Sequence, residues 1–329
     1  MNRSFLNGLF VFILVVLLLA SCDGQGVEEN ATSLCITTWN VQNLFDAVLD
    51  GNEYEEYKPS ETWNEAMYQK RLVNARKVIS CLPKAKDYVI VLNEIEGSKV
   101  IEDLLFDSNM SRMGLNYYAC TPTNTHSIQN AVISSIPVAG TRYHSVSENL
   151  RPILEVEFVL GKERFFVLAV HLKSNIGDAN ETASLRYESA VVIAQIAKKI
   201  QMENPGCPVF ICGDFNEECW ESNIMSYSKD KTSPLPVSSS FEPSSWYCFW
   251  LEDDSNIWPK GSYCYKDMWK CYDNILVSYA GKDGTGYEFE KAGIVFENFQ
   301  KTADLKPFAW DKRLLTGVSD HLPVWILLN

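Results

Sequence analysis

Short apolar runs that end in polar residues recur along this chain. Continuous apolar runs of about four to eight residues are typical of buried β-strands. Such runs end at Glu94, at His171 and at Asp214, and another run begins directly after Asp273. Because buried strands hold their ends rigidly, we expect these polar residues to converge on one rim of the molecule. Asn216 is expected to lie on the same side as Asp214 if the backbone between them is extended.

The spacing of apolar residues predicts the remaining elements. Helical spacing covers residues 65–82 and 182–202, and Ser98 is expected to cap a further helix over 98–106. Strands are predicted at residues 34–41, 88–92, 116–120, 130–134, 152–160, 164–170, 208–212, 273–278 and 324–328, with a hairpin turn at Gly161-Lys162. Strands occur in pairs and runs, with helices interspersed singly. The pattern therefore predicts an α/β fold of two stacked β-sheets flanked by helices, a four-layer α/β sandwich.

The amino terminus has the features of a lipoprotein signal. Arg3 precedes an almost wholly apolar stretch that is short for a bilayer span, and the Leu19-Ala20-Ser21-Cys22 segment is typical of a lipoprotein processing site. The chain is thus divided into a signal peptide at residues 1–21, an acylated Cys22 with a flexible tether at 22–33, and one domain at 34–329. We expect an exported, membrane-anchored lipoprotein of the bacterial cell envelope. The alternatives are an ordinary signal peptide and an uncleaved anchor.

Charge and cysteine content limit the classes of function. With 29 Lys and Arg against 42 Asp and Glu, the net charge is −13, which argues against tight nonspecific binding to nucleic acid. Contact through a local basic patch remains open. The ten cysteines contain no C-x-x-C pair, and Cys264 and Cys271 are the first pair to test for a disulfide. No G-x-G-x-x-G or Walker loop is present, so we expect no nucleotide cofactor.

Acid, amide and imidazole side chains in distant segments supply what metal-assisted cleavage of a phosphate ester requires. Carboxylates hold a hard cation, whereas amides and imidazoles place the phosphate and move protons. Asp273 is expected to orient His321 and to stabilise its charged form. The full set is Asn40, Glu94, His171, Asp214, Asn216, Asp273, Asp320 and His321.

These segments resemble the endonuclease/exonuclease/phosphatase superfamily, metal-dependent phosphodiesterases that include the pancreatic-type deoxyribonucleases. The resemblance spans about residues 34–328, and residues 40–46 and 261–266 look like a bacterial, often exported branch. Two positions depart from the family pattern, with Asn93 where glutamine is common and Ser135 where many relatives have a basic residue. The motifs that carry the resemblance occur in the expected order at residues 39–44, 213–216, 272–274 and 319–323.

The resemblance implies a metal site. Glu94 would bind the essential cation, with Asp320 as a second carboxylate and Asn40 assisting. The implied cofactor is Mg²⁺, with Mn²⁺ or Ca²⁺ as substitutes. Asp214 and Asn216 would position the attacking water and the phosphate.

The resemblance also implies how the substrate phosphate is contacted. His321, paired with Asp273, would act as a general base or as a phosphate-stabilising group. His171 would contact the scissile phosphate or help to protonate the leaving oxygen. Arg151, at the start of a strand, would bind the phosphate as arginines at this place do in relatives.

Three functions are compatible with these residues. The leading one is a monomeric, exported nuclease whose substrate is DNA or RNA. The second is an inositol-phosphate phosphatase or a sphingomyelin-type phospholipid phosphodiesterase, which the lipid anchor would hold near its substrate. The third is a non-catalytic surface-binding lipoprotein.

The aromatic residues between Phe241 and Tyr272 have three interpretations. They form a wall that stacks bases, a loop that enters a membrane interface, or a packed loop over a sheet edge.

Overall fold

The computed structural model describes residues 33–123, 126–220, 223–225, 233–252 and 259–329. The predicted signal peptide at 1–21, Cys22 and all but the last residue of the predicted tether lie outside these ranges. Within them, no helix combines the length and the apolar composition that a membrane crossing requires.

Two mixed β-sheets form the centre of the described domain. The first sheet has the order β14 (Phe289–Ile294), β15 (Val324–Leu328), β1 (Leu34–Leu44), β2 (Asp87–Ile95), β4 (Gln129–Ser134) and β3 (Tyr117–Cys120). The second sheet has the order β5 (Val138–His144), β6 (Ile153–Leu160), β7 (Glu163–His171), β8 (Val209–Asp214), β13 (Asp273–Val277), β10 (Trp246–Tyr247) and β9 (Val237–Ser238). A separate hairpin pairs β11 (Tyr263–Tyr265) with β12 (Met268–Lys270).

Helices cover the outer face of each sheet. The helices are α1 (Glu65–Ile79), α2 (Ser98–Leu105), α3 (Ser108–Arg112) and α4 (Ala179–Glu203). Leu72 of α1 and Leu104 of α2 pack in one apolar cluster with the outer face of the first sheet. Ile193 of α4 packs with the outer face of the second. The four layers are thus helix, sheet, sheet and helix, which confirms the predicted α/β sandwich.

The two sheets face each other across a single apolar core. Leu34 and Ile36 of β1 lie in this inner cluster with Val167 of β7 and Phe210 of β8. Cys35, between the two β1 residues, points instead into the cluster beneath α1 and α2. Because both faces of the central strands are covered, their side chains are apolar on both sides, and this explains the continuous apolar runs in the sequence.

The structure corrects several local predictions. Ser98 does not cap α2, because the N-cap position is Gly97 and no side chain caps that end. The first predicted helix ends at Ile79, three residues before Leu82, with Asn64 as its N-cap. The sequence patterns did not predict β5, β9–β12 or β14. The exposed edge strands β5 and β14 lack a clear apolar pattern, since most of their side chains are exposed or half-buried.

The cysteine pair singled out from the sequence is not bonded. All nine cysteines among the described residues are free thiols, including Cys264 and Cys271. Cys264 lies opposite Trp269 in the β11–β12 hairpin. The buried Cys271 thiol donates instead to the Lys260 carbonyl, at 3.6 Å. Closeness in sequence therefore did not bring these two sulfur atoms together.

Candidate active site

Three neighbouring strands of the second sheet place their polar ends side by side. His171 lies opposite Asp214 in the parallel pair β7–β8. Asp273 lies opposite Asp214 in the antiparallel pair β13–β8. The strand register alone therefore puts Asp214 between the other two residues. All three side chains are buried.

The first sheet contributes a carboxylate from the end of β2. Glu94 has a left-handed backbone with φ 66°, a conformation that is costly for a non-glycine residue and is found preferentially at functional sites. Its Oε1 accepts a hydrogen bond from Asn40 Nδ2 at 2.9 Å, and its Oε2 accepts from the Asn43 backbone N–H at 2.8 Å. The pairing of β1 with β2 is irregular between Asn40 and Leu44, which lets the Asn43 backbone face the carboxylate.

Asn40 joins the carboxylates of the two sheets. Its amide nitrogen donates to Glu94 and also to Asp214 Oδ2, the latter at 3.1 Å, while its oxygen accepts from the Gln42 N–H at 2.9 Å. The nitrogen, rather than the oxygen that would bind a cation, thus faces the acids. Asn40 orients Glu94 and Asp214 in this structure, and its assistance at the metal site stays a prediction.

His321 is held by two carboxylates. Its Nδ1 lies 2.6 Å from Asp273 Oδ2, and its Nε2 lies 3.9 Å from Asp214 Oδ2. Burial by itself lowers the pKa of His321, but the charges of Asp273 and Asp214 outweigh burial and raise the pKa well above its usual value. The imidazole is therefore cationic at neutral pH. The ring of Tyr263 stacks on it at a centroid distance of 4.6 Å.

His171 approaches the same carboxylate from the other side. Its Nε2 lies 3.8 Å from Asp214 Oδ2 and 3.9 Å from Glu94 Oε1. Its Nδ1 is buried and has no hydrogen-bond partner among the described residues. Burial, and then the positive charges of Arg151 and His321, lower the pKa of His171 well below its usual value. This imidazole is neutral at pH 7.

Asp214 is poised to change its protonation near neutral pH. Burial and the charge of Asp273 raise its pKa, His321 opposes them, and the result is a pKa of about 7. Gly213 precedes it with φ 154°, and a Cβ at that position would lie 1.8 Å from the Val170 carbonyl oxygen. Only glycine therefore allows β8 to approach β7 this closely just before Asp214.

Asn216 reaches the site through a turn. The expectation that Asp214 and Asn216 share one side of an extended strand is wrong, because β8 ends at Asp214 and Asn216 has φ 51°. The Asn216 backbone N–H donates to Asp214 Oδ1 at 2.8 Å, and its side chain donates to the Leu172 carbonyl at 3.2 Å. Asn216 thus stays next to Asp214, but as a residue that fixes the turn.

Glu94 and Asp320 fit a divalent cation. Burial, and then the charge of Asp320, raise the pKa of Glu94, and they outweigh the opposing effects of Asn40, His321 and Arg151. Carboxylates in this arrangement are the oxygen ligands that Mg²⁺ prefers. Asp214, Asp273 and His321 also have one ligand atom each within 4.8 Å of the others. The cationic His321 has no free ring lone pair for a metal, so the Glu94 side of the site suits a cation better.

A basic pocket opens beside His171. It has a volume of about 260 Å³, and its lining includes Arg151, Lys173, His126 and Tyr54. The Tyr54 hydroxyl contacts the Arg151 guanidinium. The predicted phosphate-binding residue Arg151 therefore does lie next to His171. On a protein of net charge −13, this pocket is a local concentration of positive charge at the edge of the site.

Two buried positioning residues were missed by the sequence analysis. Asn93 donates to Asn130 Oδ1 and to the Val170 carbonyl, and it accepts from the Asp214 N–H at 3.0 Å, so it ties the two sheets together beneath the site. The guanidinium of Arg71 donates to the Val41, Gln42 and Val318 carbonyls. Each left a signal, because Asn93 departs from the family pattern and Arg71 interrupts the apolar face of α1.

The aromatic segment between Phe241 and Tyr272 divides into two parts. Tyr247 is buried and stacks on Phe241 at 4.2 Å, which is core packing. Tyr263 instead stacks between His321 and Tyr272, with the tyrosine rings 5.6 Å apart. Of the aromatic residues in this segment, Trp258 lies outside the described residues. Both the packed-loop interpretation and a wall beside the site therefore apply, each to a different part.

Comparisons with known proteins agree with this fold. A model of the Endonuclease/Exonuclease/phosphatase family matches residues 35–329. No curated protein matches the chain. Similar solved structures include TDP2 from Caenorhabditis elegans, with a TM-score of 0.57 and 16% identity over 92% of this chain and 77% of that one. Danio rerio TDP2 complexed with a single-strand DNA product has a TM-score of 0.55 and 14% identity over 90% and 99%.

A bacterial structure shows the same likeness. An endonuclease/exonuclease/phosphatase family protein from Bacteroides thetaiotaomicron has a TM-score of 0.55 and 14% identity, over 90% of this chain and 97% of that one. At these identities the likeness concerns the fold, whereas the family match extends over the whole described domain. The chain thus belongs to the endonuclease/exonuclease/phosphatase family.

Proposed function

We propose that this protein hydrolyses phosphodiester bonds of nucleic acid with Mg²⁺ as its cofactor. One observation carries the proposal. A single carboxylate oxygen, Asp214 Oδ2, lies 3.1 Å from Asn40 Nδ2, 3.8 Å from His171 Nε2 and 3.9 Å from His321 Nε2. Residues from both sheets thus meet at one point with the carboxylate and imidazole groups that phosphate-ester cleavage requires.

The cation would be held by Glu94 and Asp320. When bound there, Mg²⁺ would withdraw charge from a phosphate oxygen. Asn40 and the Asn43 N–H fix the orientation of Glu94 from the protein side. Arg71, through its bonds to the backbone of residues 41, 42 and 318, holds the segment that contains Asn40 next to the segment that contains Asp320.

The two histidines and Asp214 would divide the remaining work. Asp214, with a pKa of about 7, is suited to accept a proton from the attacking water at neutral pH. His321 is cationic and has no free lone pair, which favours phosphate stabilisation over the general-base task that was the alternative. Neutral His171 would hydrogen-bond to the phosphate or to the leaving oxygen through Nε2.

Several features favour nucleic acid as the substrate. A protein of similar fold, Danio rerio TDP2, has been solved with a single-strand DNA product. Arg151 and Lys173 supply a basic pocket beside His171 for a phosphate next to the scissile one. The stacked pair Tyr263 and Tyr272 offers an aromatic surface on the other side, where stacking of a base is worth about 1–3 kcal/mol.

A phospholipid phosphodiesterase is the second candidate. The β11–β12 hairpin, next to the stacked Tyr263, exposes Tyr265 at 52% and Met268 at 56%. An exposed aromatic and apolar tip of this kind is suited to the interface of a lipid bilayer. The same active site would then cleave a headgroup phosphodiester, since fold and site do not by themselves select the substrate.

Parallel assays separate these candidates. The purified protein is incubated with Mg²⁺ and single-stranded DNA, duplex DNA, RNA, sphingomyelin vesicles or inositol phosphates, and phosphate-ester cleavage is measured. Asp214→Asn tests dependence on the site, and Asp304→Asn, the same change at an exposed residue, is the control. We expect cleavage of nucleic acid that only Asp214→Asn abolishes. Cleavage of sphingomyelin or inositol phosphates alone would reject the nuclease, and cleavage of no substrate would favour the binding lipoprotein.

We also propose that the protein is exported and anchored to the cell envelope through a lipid on Cys22. The Leu19-Ala20-Ser21-Cys22 segment supports this proposal. Metabolic labelling with a radioactive fatty acid should label the wild-type chain and not Cys22→Ser, and the variant should leave the membrane fraction. Equal labelling of both chains would refute lipidation at this residue.

A further inference from the structure

A second group of acids lies behind the catalytic Glu94. Asp50, Glu53 and Glu96 each place one carboxylate oxygen within 4.8 Å of the others. Asp50 and Glu53 belong to the loop that follows β1, whereas Glu96 comes two residues after Glu94 at the end of β2. The backbone joins the two segments, since the Glu96 N–H donates to the Leu44 carbonyl at 3.1 Å. The group is therefore formed by tertiary structure.

One oxygen of this group lacks any partner. Glu96 is 4% exposed, its Oε2 accepts from the Asp46 N–H at 2.7 Å, and its Oε1 is buried without a hydrogen bond among the described residues. A buried carboxylate oxygen left in this state costs free energy unless a ligand binds it. Oε1 is therefore the oxygen of Glu96 that remains free to bind a ligand.

The other two carboxylates also have no ion-pair partner among the described residues. The side chains of Asp50 and Glu53 are in hydrogen-bonding contact with each other, although two ionised carboxylates repel unless a proton or a cation lies between them. Across the described part of the chain, no lysine, arginine or histidine forms an ion pair with Asp50, Glu53 or Glu96.

We propose that Asp50, Glu53 and Glu96 form a structural Ca²⁺ site that is separate from the catalytic cation. Ca²⁺ accepts six to eight oxygen ligands in flexible geometry, which suits carboxylates from an irregular loop better than the strict octahedron of Mg²⁺. The backbone of Asp50 and Gly51 already donates to Glu53. These bonds fix the position of the Glu53 carboxylate within the loop.

The proposed Ca²⁺ site is adjacent in sequence to a residue that lines the basic pocket beside His171. Tyr54 follows Glu53 directly, contacts Arg151 and lines the basic pocket beside His171. A cation that fixes Glu53 would therefore also fix the wall of that pocket. The Trp63 indole N–H holds the beginning of the same loop through the Asp46 carbonyl, at 2.6 Å.

Calcium titration of the metal-free protein, followed by calorimetry, tests the proposal. The required result is one Ca²⁺-binding event that Glu53→Gln removes or weakens at least tenfold and that Glu94→Gln retains. We expect a Kd of about 10⁻⁵–10⁻³ M, the range of sensor and extracellular oxygen sites. Glu56→Gln removes the same charge from an exposed position of the same loop and should leave binding unchanged. Absence of an event with this pattern overturns the proposal.

A second variant and a second readout guard against misfolding. Asp50→Asn changes an exposed residue and should weaken the same event without loss of fold. At a hundredfold excess of Ca²⁺ over the wild-type Kd, and with binding tenfold weaker in Asp50→Asn, the Tm of the wild-type protein should rise by about 2–3 °C more than that of the variant. Equal shifts in the two proteins would contradict the site. Mg²⁺ should bind there at least tenfold more weakly, and equal affinities would refute the assignment to Ca²⁺.

Discussion

His171 and His321 lie on opposite sides of one carboxylate, yet their chemistry differs. Their Nε2 atoms are 3.8 and 3.9 Å from Asp214 Oδ2, and both rings are buried. Burial favours the neutral form of each. The second carboxylate near His171 is Glu94 at 3.9 Å, whereas the second carboxylate near His321 is Asp273, within hydrogen-bonding distance at 2.6 Å. The pKa of His321 is raised, whereas the pKa of His171 is lowered by burial and by the nearby positive charges of Arg151 and His321.

The comparison shows that the second neighbour, and not the distance to Asp214, decides the charge of each imidazole. In the proposed function, the cationic His321 would stabilise the charge on one phosphate oxygen. The neutral His171 would hydrogen-bond to a second oxygen without repelling the metal. The four predictions that follow test this division, beginning with the residue that both histidines share.

Removal of the shared carboxylate should have the largest effect. Asp214→Asn keeps the shape of the side chain but loses the proton acceptor, so we expect kcat/KM to fall by about 10⁴-fold. Steady-state cleavage of the preferred phosphodiester, measured beside Asp304→Asn, checks the loss. Activity above a tenth of wild type would show that another residue accepts the proton.

Removal of the second carboxylate should act through His321 alone. Asp273→Asn should reduce kcat by about 10²–10³-fold and move the alkaline limb of the pH–rate profile to lower pH. The direction follows because the imidazole must stay protonated and loses the contact that raises its pKa. A pH–rate series for kcat is the measurement. A reduced rate with an unmoved alkaline limb would mean that Asp273 has only a structural part.

Removal of Arg151, which lies in the pocket beside the neutral His171, should mainly weaken substrate binding. Arg151→Ala removes a charged contact to phosphate from the pocket beside His171, and a charge-assisted hydrogen bond of about 1.5–3 kcal/mol corresponds to a KM increase of about 10- to 100-fold. We expect kcat to change far less. The matched control is Arg313→Ala, which removes an exposed arginine. An unchanged KM would place the substrate outside this pocket.

The smallest predicted effect is on the pH dependence of stability in EDTA. The folded pKa of His321 is above its ordinary 6.5, so the stabilisation it contributes is complete below about pH 6.5 and is lost as the pH rises through the folded pKa. The folded pKa of His171 is below 6.5, so its contribution is lost as the pH falls below about 6.5. Replacing each histidine by asparagine should therefore remove a contribution to the free energy of unfolding, and the two contributions change with pH in opposite directions.

Denaturant unfolding from pH 5 to 9 measures these slopes. The free energy of unfolding of wild type minus His321→Asn should decrease with pH above 6.5. The corresponding difference for His171→Asn should increase with pH in the acid range. Slopes of the same sign would contradict opposite charge states for the two rings.

Much of the fold could be predicted from the sequence because the central strands are covered on both faces. The apolar runs before Glu94, His171 and Asp214 produce continuous hydrophobic signals with a polar residue at the end, and each became a strand of the sandwich. The exposed edge strand β5 gave no such signal. The cap of α2 also escaped prediction, because Gly97 takes a position for which Ser98 had the better side chain.

The candidate site residues could be predicted from the sequence for a different reason. Acids and imidazoles next to buried strands are chemically unusual, so Glu94, Asp214 and His321 could be predicted jointly as one set, although Glu94 taken alone carries little information. Asn93 and Arg71 could not be recognised as supports, because their partners are backbone and amide groups up to hundreds of positions away. The acid group of Asp50, Glu53 and Glu96 likewise exists only after two distant segments meet.

The sequence by itself determined the four-layer architecture and the chemical types available at the strand ends, since both follow from local apolar patterns and residue identity. The tertiary structure alone decided how those groups behave. Strand register placed His171 and Asp273 on either side of Asp214, and burial together with the nearest charges set one imidazole neutral and the other cationic. Electrostatic energies depend on distances between atoms and on exclusion of water, and a one-dimensional order of residues contains neither.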